Sequence, residues 1–432
     1  TCIAKVFVFY NNTFSLLKLF RHIPFLKAVL LYSITAFGGP QGHLGMMLKN
    51  FVSKRKYISE EELMECFSFC QLLPGASSTQ TITLIGFKRG GLPLAIITLF
   101  IWIFPASFLM GLFSFVVSDK VKTSISESPL KFLGVMAIGF LVFAAVKMFT
   151  VSVRSLITQI IMLVSMLATF LFFRTPWIFP LLIVSGCIAT NLSSKRIPET
   201  GKRDHKKIRW RNIWLFVFIF LVAGIVSETA RKQNWEHRKA YNLFENYYRF
   251  GSIVFGGGDV LLAMMLDQYV ERPVAPKISK KNPNAIKLDK NEILTGFGLV
   301  RAIPGPVFSV ASYTGGLSLK SQGKTMQVLG CIIGMVAIFL PSALLVLFFY
   351  PVWQYLKKYV VVYRSLEGIY AVITGVMWAA SLYLFRTLHL DSLNAFSLIG
   401  YAVILLTFLL LKFTKIPAPV IVITCLALGF VF

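Results

Sequence analysis

From Leu92 to Val117 the chain carries no charged residue, and neither does Ser155–Phe173 or the shorter Ile213–Ser227. A bilayer core takes about 20 apolar residues of helix to cross. Such runs recur along the whole chain, whereas a signal peptide supplies one near the start. The ten-residue alternation of a membrane β-barrel is absent. These runs predict an all-α polytopic membrane protein. Composition agrees: 56% of the 432 residues are hydrophobic and 14% are charged, against roughly 45–50% and 25% in soluble domains. A disordered chain, a secreted disulfide scaffold and a soluble nucleic-acid binder are excluded as main readings. The formal charge of +26 then means basic loops at a membrane surface, an anionic substrate, or both.

Several apolar segments are interrupted. Pro24–Leu48 is broken at Phe37-Gly38-Gly39-Pro40, and Glu61–Phe87 at Pro74-Gly75. Tyr241–Val270 contains Phe255-Gly256-Gly257-Gly258, and Glu292–Leu319 contains Pro304-Gly305-Pro306. The Phe-Gly-Gly motifs are 218 residues apart and the Pro-Gly motifs 230 apart, the difference fitting a longer loop at 271–290 than at 49–60. A looser echo links Phe104-Pro105-Ala106-Ser107 to Phe339-Leu340-Pro341-Ser342. Three motifs in the same order indicate an internal duplication. The expected organisation is a first repeat over 1–192, a basic linker over 193–212, and a second repeat over 213–432 with an extra leading span. Five uninterrupted spans separate the first Pro-Gly segment from the second Phe-Gly-Gly segment. If both motif segments of a half cross, or both are re-entrant, the number of crossings per repeat is odd and the repeats are inverted. If only one crosses, they are parallel. Inverted repeats are the expectation, with broken or re-entrant helices at the motifs.

Gly and Pro free backbone groups that lipid cannot satisfy, at roughly 2–7 kcal/mol each. Breaks at matching places in both halves therefore point to a binding site near the midplane. A half-helix starting at a break offers free N–H groups and a positive dipole end to an anion. Ser77, Ser78, Thr79 and Gln80 follow the first Pro-Gly, and Ser309, Ser312, Tyr313 and Thr314 follow the second. Neutral donors at helix starts suit an oxyanion that must bind and leave. The bland alternative is that these small residues only allow close helix packing.

Arg301, three residues before Pro304, needs an anion, a carboxylate or water. It is a candidate substrate ligand, or the structural partner of Asp259 or Glu292. Asp259 and His43 are candidates for carrying a coupling proton, with helix capping or an ordinary structural role as the alternatives. Lys147, Glu367 and Arg386 lie near span ends, where long side chains snorkel to the interface. Cys66 and Cys70 share a helix face and read as core packing, not as a metal or redox site. No phosphate loop, His-Glu-x-x-His or Gly-x-Ser-x-Gly signature occurs. No metal, no cofactor and no enzymatic activity is expected.

The first-half motifs, Phe37-Gly38-Gly39-Pro40, Phe51 to Lys56, Gln71 to Gln80 and Gly86-Phe87-Lys88-Arg89-Gly90, closely resemble the chromate ion transporter family. So do Phe255 to Gly258 and Ala302 to Pro306 with Tyr313. The resemblance covers essentially the whole chain, as in two-domain members. It implies a carrier in the plasma membrane or bacterial inner membrane that exports chromate and confers resistance to it, with sulfate as analogue or competitor. Carried over residue by residue, the matching positions are Gly38, Gly39, Gln71, Pro74, Gly75, Ser78, Gln80, Gly256, Gly257, Pro304, Gly305, Pro306 and Tyr313, and the expected substrate path adds Ser77 and Arg301, which the residues themselves single out. Arg55 and Arg89 are secondary basic candidates. The chain departs from the family at Ala76, where Pro is usual, and at Arg301, where Gln is frequent. The expected partners are chromate or sulfate, the lipid bilayer and a second copy in a homodimer, without nucleic acid. Alternating access is the expected mechanism. The competing readings are a transporter or channel for another small anion such as sulfate, and, more remotely, a membrane-embedded enzyme.

Overall fold

A computed structural model describes residues 21–37, 39–120, 130–172, 178–192, 211–255, 257–275, 282, 284–356, 360–387, 395–414 and 416–431. Gly38, Gly256, Cys2 and the linker over 193–210 lie outside the described residues, as does the side chain of Arg386. Among the described residues the regular structure is entirely helical.

The first half comprises α1 (Ile23–Ser33), α2 (Gly39–Met47), α3 (Glu60–Gln71), α4 (Ser77–Lys120), α5 (Lys131–Ser152), α6 (Leu156–Leu171) and α7 (Ile178–Asn191). Helix α8 (Arg211–Lys232) leads into the second half. There follow α9 (Arg238–Ile253), α10 (Gly258–Leu266), α11 (Lys290–Leu299), α12 (Val310–Leu319), α13 (Lys324–Leu356), α14 (Val360–Thr387), α15 (Ala395–Phe413) and α16 (Ala418–Val431).

The duplication is visible in local geometry. α2 runs on into a π-turn at Leu48–Ser53, and α10 into another at Asp267–Glu271. α3 starts at a capping box formed by Ser59 and Glu62, and α11 at one formed by Asp289 and Glu292. In each box the cap side chain accepts from a backbone N–H of the first turn while the Glu reaches back, satisfying donors the helix cannot. Gly75 and Gly305 both take positive φ, 109° and 114°. α4 is interrupted where Gly90 and Gly91 leave helical geometry, and α12 is separated from α13 by Gly323 at φ 103°.

Among the described residues, five helices are long and apolar enough to cross a membrane: Ser77–Val117, Lys131–Thr150, Ile213–Lys232, Lys324–Trp353 and Arg364–Phe385. Their outer faces carry large exposed apolar side chains. Phe100, Phe104 and Phe108 stack in a row along α4, all three exposed. Trp214, Phe218, Leu221 and Ile225 line α8 in the same way. Such belts would be untenable in water but are the natural surface against acyl chains. α6 has only 16 residues, about 24 Å of helix, short of the roughly 30 Å hydrocarbon core.

The two halves exchange their last helices. α6 and α7 pack on α14 of the second half, and α15 and α16 pack on α5 of the first. Both crossings run through a glycine. A Cβ on Gly139 would lie 2.9 Å from the Ile404 carbonyl, and one on Gly375 would run into the Met162 carbonyl. Without hydrophobic drive between helices in lipid, such close approach supplies the attraction.

Each Pro-Gly turn is also tied across to the opposite half. The Gly75 N–H donates to the Val254 carbonyl at 2.6 Å, and the Gly305 N–H donates to the Ala36 carbonyl at 2.8 Å. Ala36 and Val254 stand at the same place in their halves, directly before Phe-Gly-Gly. A Cβ on Gly75 would collide with Ser342, and one on Gly305 would lie 2.8 Å from the Ala106 Cβ. Gly75→Ala and Gly305→Ala are each expected to destabilise the protein by about 1–3 kcal/mol, from positive φ alone. Gly224→Ala, in α8 where a Cβ meets nothing, should be neutral or slightly stabilising. Thermal unfolding in detergent checks this, and equal stability of all three variants would refute the role given to the turns.

Candidate anion cavity

The four chain breaks converge. One cavity of about 910 Å³ is lined by Phe37 and Gly39 from the first Phe-Gly-Gly, and by Gln71, Gly75 and Ser77 around the first Pro-Gly. Gly257 and Asp259 from the second Phe-Gly-Gly line it too, with Arg301, Gly305 and Val307 around the second Pro-Gly. Backbone irregularity in a membrane protein is tolerated where it faces protein or a wet cavity, and here all four irregular segments share one.

The first Pro-Gly turn is braced. Gln80 folds back to donate to the Pro74 carbonyl at 2.8 Å. The Ala76 N–H donates to the Ser342 hydroxyl at 3.3 Å. The first amides of the Pro-Gly turn are thus used by the opposite half, and Ser77 is the hydroxyl left facing the cavity. Tyr370, on α14, donates to the Gln71 carbonyl and itself lines the cavity.

Arg301 is ion-paired with Asp259, their side chains 14% and 18% exposed. Its guanidinium also stands 5.0 Å from the centroid of the Phe140 ring. Glu292, the other candidate partner, is held by Lys320 instead. The remaining charges of the cavity are Lys147 and Arg154 on and just after α5, and Glu367 on α14.

Several sequence-predicted residues do not line the cavity. Ser78 is buried and bonded to His43, Nδ1 to Oγ at 3.0 Å. His43 itself is buried edge-on to Trp102, with centroids 5.3 Å apart. Tyr313 is buried and donates to the Glu292 carbonyl at 3.0 Å. Pro74, Gln80, Pro304 and Pro306 shape the turns without lining the cavity. Arg55 donates to the Pro24 carbonyl at 3.4 Å. Arg89 donates to the Tyr57 carbonyl at 2.8 Å and lies 4.6 Å from the Tyr57 ring centroid. Both arginines brace the exposed end of α1 and the loop before α3. Gly38 and Gly256 are outside the described residues.

Sequence reading missed others. Lys147 and Glu367 are not simply snorkelling to the interface but line the cavity, and Arg154, Ser155 and Thr158 join them. A signal existed for Lys147: with Phe140, Phe143, Ala144 and Met148 it falls on one helical stripe of α5. Ser77→Cys should react with a water-soluble thiol reagent in detergent-solubilised protein, and Ser78→Cys should not. Equal labelling of the two sites, above that of the parent protein, would contradict the cavity wall.

Comparison with known proteins agrees with this architecture. The family model described as "Chromate transporter" matches residues 23–190 and 241–430. An uncharacterized transporter of Methanocaldococcus jannaschii is 24% identical over 431 residues, spanning 97% of this chain and 95% of that protein. No solved structure matches the chain. The chain, an integral membrane transport protein of two similar halves, belongs to the chromate transporter family.

Proposed function

We propose that the protein is a secondary carrier of a tetrahedral oxyanion dianion, chromate in the first place with sulfate as its analogue, exporting it across the plasma or inner membrane. The single observation that supports this most is the convergence of all four chain breaks, together with Arg301, on one cavity. Helix starts and a guanidinium are the groups that recognise tetrahedral oxyanions. The lining charges Lys147 and Arg154 would raise the local anion concentration. Alternating access would proceed by one half rocking against the other about the crossed Pro-Gly turns. The odd number of spans between the matching motif segments, with α8 as the extra one, supports the inverted relation of the repeats. Asp259 is the coupling candidate placed at the site, while His43 sits behind α4 and would act only indirectly. A homodimer is retained as the working assembly.

The test is uptake of radiolabelled sulfate and of chromate into proteoliposomes. A carrier shows saturation and counterflow against unlabelled anion; ion flux without saturation would favour the channel reading. A panel including molybdate, phosphate and nitrate defines the substrate class. Arg301→Gln should raise the half-saturation concentration at least roughly tenfold, since it removes the buried cation and leaves the Asp259 charge unpaired. Unchanged uptake by a folded Arg301→Gln protein would remove Arg301 from the substrate path.

A further inference from the structure

The duplication supplies an internal comparison for the ion pair in the cavity. At the offset of the Pro-Gly turns, Arg301 corresponds to Gln71; at the offset of the Phe-Gly-Gly breaks, Asp259 corresponds to Gln41. The second half thus has a cation and an anion where the first has two neutral amides. The two charges are 42 residues apart in the chain, yet they are each other's partners. Both belong to residues lining the cavity. A cation placed there only to bind substrate would need no dedicated carboxylate.

Asp259 also stands where an anion would stand. It lies in the first turn of α10, which begins after Gly257 at φ 107°. Its carboxylate therefore has both a helix N-terminus and a guanidinium, the two groups a free oxyanion would seek. The other carboxylates packed around α10 are otherwise engaged. Asp267 pairs with Arg272, Glu271 accepts from Tyr383, and Glu292 pairs with Lys320. Glu367 lines the cavity from α14.

We infer that Asp259 is a tethered competitor for the transported dianion: the oxyanion binds by taking Arg301 from it. This rests on the oxyanion-carrier reading above. The competition serves turnover. A lone arginine facing a dianion in a low-dielectric cavity would hold it too long, and a carrier needs binding weak enough for release. Asp259 returns to Arg301 as the anion leaves, so the guanidinium is not left unpaired. Asp259 is a positioning residue here, acting on substrate through Arg301.

The test is equilibrium binding of radiolabelled sulfate to the purified full-length protein, with uptake into proteoliposomes beside it. Asp259→Asn keeps the shape of the side chain and removes the competing charge. It should tighten sulfate binding roughly tenfold while lowering the maximal uptake rate. A merely structural ion pair predicts no tightening. The double variant Asp259→Gln with Arg301→Gln copies the first half's own residues. It should bind sulfate more tightly than Arg301→Gln alone, because no unpaired carboxylate remains to repel the anion. Should Asp259→Asn fail to fold, this second comparison decides the matter. Sulfate binding by folded Asp259→Asn that is equal to or weaker than the parent's overturns the inference, as does a double variant no better than Arg301→Gln. Either result leaves the carrier reading standing. A parent protein that binds and transports neither sulfate nor chromate overturns that reading, and this inference with it.

Discussion

Two backbone hydrogen bonds, Gly75 N–H to the Val254 carbonyl and Gly305 N–H to the Ala36 carbonyl, tie each Pro-Gly turn to the chain just ahead of the opposite Phe-Gly-Gly. An amide freed by a helix break is costly in a membrane unless it finds a partner. Here each half finds it in the other, so neither half is complete alone. The exchange of α6, α7, α15 and α16 between halves repeats the same logic at the level of whole helices. The cavity exists because four breaks held in this crossed arrangement face one another.

The two halves share a backbone plan but not a chemistry. In the first, Tyr32, His43, Ser78, Thr79 and Trp102 form a buried cluster. Tyr32 and Trp102 stack at 4.6 Å, and the Trp102 ring N–H donates to Thr79 at 2.9 Å. The second-half positions that correspond to Tyr32, His43 and Ser78 are Phe250, Leu261 and Phe308, all apolar and buried. The second half instead buries ions around its π-turn, where Asp267 pairs with Arg272 and Tyr383 donates to Glu271. The π-turn of the first half, Leu48–Ser53, holds a buried Phe51 in that region, edge-on to Tyr32 at 5.4 Å. Buried ion pairs seldom add net stability but are costly to break from one side. The second half is therefore the one whose structure depends on charge pairing, and the Arg301–Asp259 pair belongs to the same pattern.

Much of the cavity wall is legible in the sequence. Gly39, Gly75, Gly257, Arg301 and Gly305 line the cavity, and Gly or charge within an apolar segment demands a reason; Ser77, which also lines it, stands out as a neutral donor just after the Pro-Gly break. The residues that failed to line it failed for an identifiable cause. Ser78 lies three residues after Gly75 and Tyr313 eight after Gly305, but a helix turns about 100° per residue, which points them into the protein. Gln80 is a donor, yet its donor is used by the turn itself. Lys147 and Glu367 were placed by distance along the chain, whereas cavity lining depends on which helices lie side by side.

By itself the sequence determined that the chain is helical and membrane-embedded, that it is duplicated, and where its helices break. These follow from the length and order of apolar runs and from residues whose backbone preferences are local. Only the tertiary structure decided that the breaks bond across the halves, that Arg301 pairs with Asp259 and not Glu292, and that α5 and α14 complete the cavity with Lys147, Arg154 and Glu367. Those outcomes depend on which surfaces meet in three dimensions. Partners separated by dozens or hundreds of residues leave no periodic trace in the chain that holds them.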